Sequence, residues 1–157
     1  MLKSTVRTFT LLGAAALLAL SAMSAQAADC PTGKALNGYC KQRVVYHINN
    51  LQKATGALRN VKNHLNALGD DNVEIIVVTH SSGAFAMVDG TKNKKGKPFT
   101  DTIAALANRG VKFTICANTI KGKKIDKNKI NEHVEIIPSG VAEVAHLQQQ
   151  GYLYVKP

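Results

Sequence analysis

The chain has 157 residues, 20 Lys and Arg against 10 Asp and Glu for a formal net charge of +10, and 5% aromatic residues. This length bounds it to one domain with a real hydrophobic core. The basic balance invites nucleic acid as a partner, but the few aromatics do not interleave with the lysines as a single-strand groove requires. No nucleic acid is expected, and solubility, attraction to anionic membrane surfaces and steering of small anions remain.

Residues 1–27 read as a secretory signal peptide. Lys3 and Arg7 make a positive start, Leu11 to Leu20 an apolar core, and Ala25-Gln26-Ala27 a small-x-small cleavage site. The apolar core is shorter than the roughly 20 residues of a spanning helix. Cleavage after Ala27 would leave a periplasmic or secreted protein with no stable membrane insertion. Next comes an arm, residues 28–42, containing "DCPTGKALNGYCK". Pro31, Gly33, Asn37 and Gly38 supply turn chemistry between Cys30 and Cys40, so an oxidising compartment predicts a Cys30–Cys40 disulfide. Closing this loop contributes about 3 kcal/mol in the chain-entropy picture. No CxxC, CxxCH or zinc spacing occurs, so neither a redox pair, haem nor metal is expected, and no cofactor is implied.

The remaining chain, 43–157, alternates strands and helices. "RVVYHI" (43–48) reads as a strand. Leu51, Ala54, Leu58, Val61, Leu65 and Leu68 then recur at helical spacing, with Asn49 or Asn50 as cap and Gly69 as stop. "VEIIVVT" (73–79) is a buried strand, which completes a βαβ unit with parallel strands. "SSGAFAMV" (81–88) suggests a short helix and "DGTKNKKGKP" (89–98) a basic loop. "TDTIAALANRG" (100–110) predicts a helix capped by Thr100 and stopped by Gly110, and "VKFTICA" (111–117) a third strand. "NTIKGKKIDKNKI" is a poor helix weakened by Gly122. "HVEIIP" (133–138) is a fourth strand, "SGVAEVAHLQQQG" (139–151) a helix capped by Ser139, and "YLYVKP" a short fifth strand. The fold class is α/β, a three-layer α/β/α sandwich around a mostly parallel five-stranded sheet.

Such folds bind ligands beyond the carboxyl ends of their strands. Cys116 stands at one of those ends, just before a helix start. Backbone N–H groups near Asn118 and Thr119, with Lys121, Lys123 and Lys124, favour its thiolate. Lowering a thiol pKa from about 8.5 to about 7 takes roughly 2 kcal/mol and raises the thiolate share at pH 7 from about 3% to about half. A buried structural cysteine is the other reading. His80 follows an apolar strand and is a candidate base or hydrogen-bond partner. Ser81 and Ser82 with Gly83 suit an anion-binding turn, not the nucleophile elbow of hydrolases. His47 reads as structural, and His64, His133 and His146 are scattered. No phosphate-binding glycine loop and no carboxylate pair at the strand ends is present.

On "VVYHINN", "VVTH", "NRGVKFTICANTI" and "IIPSGVAEVAHLQQQGYLYVKP", residues 43–157 resemble the DsrE/DsrF-like family of small sulfur-handling α/β proteins. The resemblance implies a homo-oligomer, a trimer or hexamer, and a persulfide on the cysteine matched by Cys116. Relay members of that family work in the cytoplasm beside partner subunits, whereas this chain carries an export signal and a disulfide arm. The expected function is a periplasmic sulfur-binding or sulfur-transfer protein whose partner is a small sulfur-containing anion or a sulfur-carrier protein. The alternative is a non-enzymatic oligomeric module, binding small anions or purely structural, with Cys116 buried. A third reading is basic attachment to anionic membranes.

Overall fold

The computed structural model describes Cys30 and residues 33–157; the signal peptide expected at 1–27 and Pro31 of the arm lie outside the described residues. Five strands, β1 (Gln42–Ile48), β2 (Val73–Thr79), β3 (Lys112–Cys116), β4 (Val134–Ile137) and β5 (Leu153–Val155), alternate with four helices. The helices are α1 (Leu51–Leu68), α2 (Thr100–Ala107), α3 (Ala117–Lys123) and α4 (Gly140–Gln149). The sheet order is β4-β3-β2-β1-β5 and every pairing is parallel. This is the α/β sandwich expected from the sequence.

The central strand β2 is apolar almost throughout, with six of its seven residues buried, as a sheet covered on both faces demands. One face carries Val44, Tyr46, Ile48, Ile75, Val77, Phe113 and Ile115 against α1 and α2. Helix α1 supplies Ala54, Ala57, Leu58, Val61, Leu65 and Leu68 to that layer, the stripe its sequence spacing foretells. Asn50 caps the helix, its side chain accepting from the Gln52 N–H at 2.8 Å, and Gly69 closes it at φ 85°. The other face is smaller. Val45, Ile76, Val78 and Ile137 meet Val144 and Leu147 of α4, with Tyr152 alongside. Crossing from β4 to β5, α4 returns the chain past β3 and β2 to the far side of β1. The strand order therefore reverses between β1 and β5, which is where such sheets open a crevice.

Three local expectations are corrected. Thr100 is the first residue of α2 and not its cap; Phe99, whose side chain has no capping atom, holds the cap position, and the Thr100 hydroxyl donates to Asp89 Oδ1 across the loop at 3.1 Å. That helix ends at Ala107, and Gly110, at φ 87°, closes the turn after it. The segment Ser81–Met87 is a 3-10 helix, pressed onto the carboxyl end of β1. A Cβ on Gly83 would overlap the Ile48 carbonyl oxygen and sit 2.7 Å from its carbon, so only glycine lets the two backbones approach.

The arm carries the expected Cys30–Cys40 disulfide, with Cα atoms 5.1 Å apart. Asn37 Nδ2 donates to the Ala67 carbonyl near the end of α1 at 2.8 Å, which sets the arm at the amino end of the sheet. Arg43 and Tyr152 both bond the Glu74 carboxylate, at 3.0 and 2.6 Å, and tie the entry to β5 against β1 and β2.

Two glycines separate steric need from conformational freedom. Gly83→Ala is expected to destabilise the protein by about 2 kcal/mol or more, since a backbone carbonyl cannot give way. Gly56→Ala, inside α1 with nothing within 4 Å of the added carbon, is expected to stabilise it by about 0.5–1 kcal/mol. Urea unfolding of both variants checks the pair, and a neutral Gly83→Ala would show that the contact is not tight in solution.

Candidate functional site at the carboxyl edge of the sheet

Side chains alternate along each strand, and the pairing places Tyr154 beside Val45, His47 beside Val78, Val78 beside Thr114, and Cys116 beside Ile137. Tyr154, His47 and Cys116 thus share the face covered by α4, and His80, two residues beyond Val78, continues it. In mid-strand this face is apolar, and at its amino end Arg43, Glu74 and Lys112 form a charged network with Tyr152. At the carboxyl edge it turns into a row of titratable groups crossing β5, β1, β2 and β3. Reciprocal buried bonds hold the row's backbone. Thr79 Oγ1 donates to the Thr114 carbonyl at 2.7 Å and Thr114 Oγ1 to the Val77 carbonyl at 3.2 Å.

Cys116 ends β3 and immediately precedes α3. Its side chain is 4% exposed. Burial pushes the thiol up, but this is outweighed by N–H donation from Gly140 at the start of α4, by the Thr119 N–H and hydroxyl, and by the Asn118 N–H. The net effect holds Cys116 below the ordinary thiol value. The strongest of these effects come from backbone amides, where the sequence reading also invoked lysines. Thr119 is well placed to donate because its Oγ1 already accepts the Ser81 N–H at 3.1 Å, leaving its proton for the sulfur. That bond also holds Ser81, a non-glycine residue at φ 51°.

His80 lies across Gly140 from Cys116. An ideal Cβ built on Gly140 would stand 3.1 Å from His80 Cβ and 3.4 Å from Cys116 Cβ. The His80 ring meets His47 through their Nε2 atoms at 2.5 Å, with ring centroids 4.6 Å apart. His47 Nδ1 in turn lies 2.7 Å from the Tyr154 hydroxyl oxygen. Burial, and then the Lys156 ammonium, push His80 below the ordinary histidine value; burial, the other ring and Lys156 do the same to His47. Both rings are therefore neutral at pH 7.

Of the residues singled out in the sequence, Cys116, His80, Asn118 and Thr119 come together. Ser81 joins through its backbone N–H. The Ser82 hydroxyl is engaged elsewhere, donating to the Asn49 carbonyl and accepting from the Leu51 N–H, both at 3.4 Å. Lys121 lines a separate hollow of about 550 Å³ with Asn118, Lys124 and Lys127. Gly140 follows the carboxyl end of β4, one of the strand-end positions the sequence singles out; His47, read as structural, and Tyr154, not singled out in the sequence, join the row. A smaller hollow of about 220 Å³ opens at the strand-order reversal, lined by His47, Asn49, Asn50, Lys53 and Lys156 among others. Among the described residues no three His, Cys, Asp or Glu side chains converge as a metal site would, and no helix is long and apolar enough to cross a membrane.

The model of the DsrE/DsrF-like family matches residues 41–157. Among solved structures, a protein of unknown function from Methanobacterium thermoautotrophicum, MTH1491, is similar with a TM-score of 0.66 and 27% identity, covering 74% of this chain and 99% of its own. The ychN protein of E. coli shares the fold with a TM-score of 0.62 at 17% identity, over 74% of this chain and 99% of its own. No curated protein matches.

Two pH dependences follow. His47, His80 and His64, the last also pushed down by burial, hold folded values below the unfolded one near 6.5. Their contribution to stability is complete above about pH 6.5 and is lost as the pH falls through the lowered values, because the unfolded chain binds the protons more readily. The melting temperature should hold from pH 8 to 7 and decline between about pH 6.5 and 5, and a rise over that interval would contradict the neutral rings. For Cys116 the rate of alkylation against pH should show a midpoint below about 8.5, and Thr119→Val should move it upward.

Proposed function

Because the chain belongs to the DsrE/DsrF-like family, we propose that it is a sulfur carrier or sulfurtransferase that holds sulfane sulfur as a persulfide on Cys116. The observation that supports this reading most is the ring of donors around the thiol. Gly140, Asn118 and Thr119 together stabilise a sulfur anion at the meeting of two helix starts. A thiolate and a persulfide anion both gain from these donors, so the resting and the loaded forms are served by one arrangement.

With thiosulfate as donor, the Cys116 thiolate attacks the sulfane sulfur. A new S–S bond forms to Cys116, the S–S bond of thiosulfate breaks, and sulfite leaves with the electron pair. The charge, three negative in all, is the same on both sides, and no outside oxidant or reductant is needed. Transfer to an acceptor thiolate reverses the roles, with the Cys116 thiolate as leaving group. Asn118, Thr119 and the Ser81 turn border the reacting sulfur; Lys121 and its neighbours would attract the anion toward that edge. His80 would orient the thiol or take its proton.

Export to the periplasm or beyond is part of the proposal, supported by the signal-peptide pattern and by the disulfide of the arm. So is self-association. Leu153 (57% exposed) and Tyr154 (42%) on the edge strand β5, and Val141 (67%) on α4, leave apolar surface uncovered in the single chain.

One observation favours a second reading. At 4% exposure Cys116 is packed as a structural cysteine would be, so sulfur transfer requires the turn at 138–140 or the Ser81 segment to open. The mature protein, incubated with thiosulfate or polysulfide and analysed by intact mass, is expected to gain one sulfur atom that dithiothreitol removes, while Cys116→Ser gains none. No gain in the native protein, together with a thiol that reacts only on unfolding, would leave Cys116 a packing residue.

A further inference from the structure

The hydrogen-bonded line from Tyr154 through His47 to His80 ends against the same glycine that packs on Cys116. We propose that Tyr154 and His47 are positioning residues of the Cys116 site. They fix the His80 ring, and through it the Gly140 turn packed against Cys116. The inference rests on the reading of Cys116 as the sulfur-bearing residue.

Three features of the geometry carry it. First, both ring nitrogens of His47 are engaged, one by the Tyr154 hydroxyl and one by His80. A neutral imidazole has one donor and one acceptor nitrogen. Whichever way the Tyr154 hydroxyl points, the His47 tautomer follows, and with it the tautomer and orientation of His80. Second, Gly140 is wedged between His80 and Cys116. A Cβ there would lie 3.1 Å from His80 Cβ, 3.3 Å from His80 Cδ2 and 3.4 Å from Cys116 Cβ, so a swing of the His80 ring must push Gly140 or leave it unsupported. Third, Tyr154 has little other reason to point inward. It is 42% exposed on a three-residue edge strand, yet its hydroxyl is directed at His47.

The charged and titratable groups facing this line are few. Strand β5 supplies Tyr154, and Lys156, just past its end, acts on both rings. Helix α1 contributes Lys53 at the hollow that His47 lines, β3 contributes Cys116, and α4 presents the Gly140 backbone. Lys156 discourages protonation of both rings, and His80 discourages that of His47. At the pH where the thiolate forms, both rings are neutral, and their contact depends on one donating and one accepting.

The test compares the mature protein with Tyr154→Phe, His47→Ala and His47→Gln. Tyr154→Phe removes one hydroxyl from a part-exposed residue and should fold. His47→Gln keeps a donor and an acceptor facing His80. The readouts are the pH profile of Cys116 alkylation by iodoacetamide, the ¹⁵N shifts of the His80 ring, and the melting temperature. Tyr154→Phe and His47→Ala are expected to raise the alkylation midpoint by about half a pH unit or more and to shift the His80 nitrogens. His47→Gln should lie closer to the native protein than His47→Ala. If Tyr154→Phe folds and keeps both the native midpoint and the native His80 shifts, the proposal is overturned, whatever happens to the melting temperature. Should His47→Ala fail to fold, Tyr154→Phe decides alone. Sulfur uptake is scored separately. A native protein that takes up no sulfur ends the persulfide reading, but the alkylation and ¹⁵N comparison still decides whether Tyr154 and His47 position the site.

Discussion

A parallel sheet brings the carboxyl end of every strand to one edge, and the site of this protein depends on what the α4 face does there. Over most of their length the strands need apolar residues on both faces, because helices cover both. At the carboxyl edge the α4 layer runs out of apolar contacts, and Tyr154, His47, His80 and Cys116 take over from Val45, Ile76 and Val78. Polar groups at the rim of a core need partners, and each of these finds one in its neighbour or in the start of a helix. The row is therefore a consequence of strand register and needs no dedicated loop. A one-residue slip of any strand would send its member to the opposite face.

Two close approaches make that row a site. Gly83 lets the 3-10 segment after β2 lie on the end of β1, and the His80 N–H donates to the Ile48 carbonyl at 3.3 Å. Gly140 lets the start of α4 slip between His80 and Cys116. A side chain at Gly83 would have to move backbone, whereas one at Gly140 would meet the bases of two packed side chains at 3.1–3.4 Å and ask them to give by a few tenths of an ångström. Thr119 adds a third tether, joining α3 to the segment after β2 through Ser81. Three separate stretches of chain thus converge on one sulfur, although Cys116 itself offers little beyond a small, polarisable side chain.

Most of the fold was legible because it rests on periodicity. The α1 stripe, the continuous apolar run of β2 and the Ser139 and Asn50 caps are local signals, and local physics sets them. Thr100 was misread because its hydroxyl has a distant competitor in Asp89, which spacing along the chain does not reveal. The site divides in the same way. Cys116 and His80 were singled out from their places at strand ends. His47 read as structural because its partners, His80 and Tyr154, are 33 and 107 residues away. Its meaning depends on β1 lying between β2 and β5, and strand order is a property of the whole sheet. With that order in hand, His47 and Tyr154 could have been placed on one face by alternation alone. The lysines after Cys116 were over-weighted for the opposite reason. A run of charge is conspicuous in a sequence, whereas backbone N–H groups, the stronger influence on the thiol, carry no letter of their own.

The same geometry explains how a chain that carries a disulfide keeps one thiol unpaired. The Cys30–Cys40 loop is fastened to the end of α1, where Asn37 holds the Ala67 carbonyl, and so lies at the amino end of the sheet. Cys116 lies at the carboxyl end, with the length of β3 and its neighbours between them. Thiol–disulfide exchange needs direct attack of a thiolate on a disulfide sulfur, and the folded chain holds the two apart. Burial of the thiol guards against exchange with other molecules, while the donors around it keep the anionic form accessible in energy. Protection comes from position and burial, and reactivity from the surrounding amides. Because these are separate features, opening of the turn over Cys116 would expose a sulfur already disposed to react.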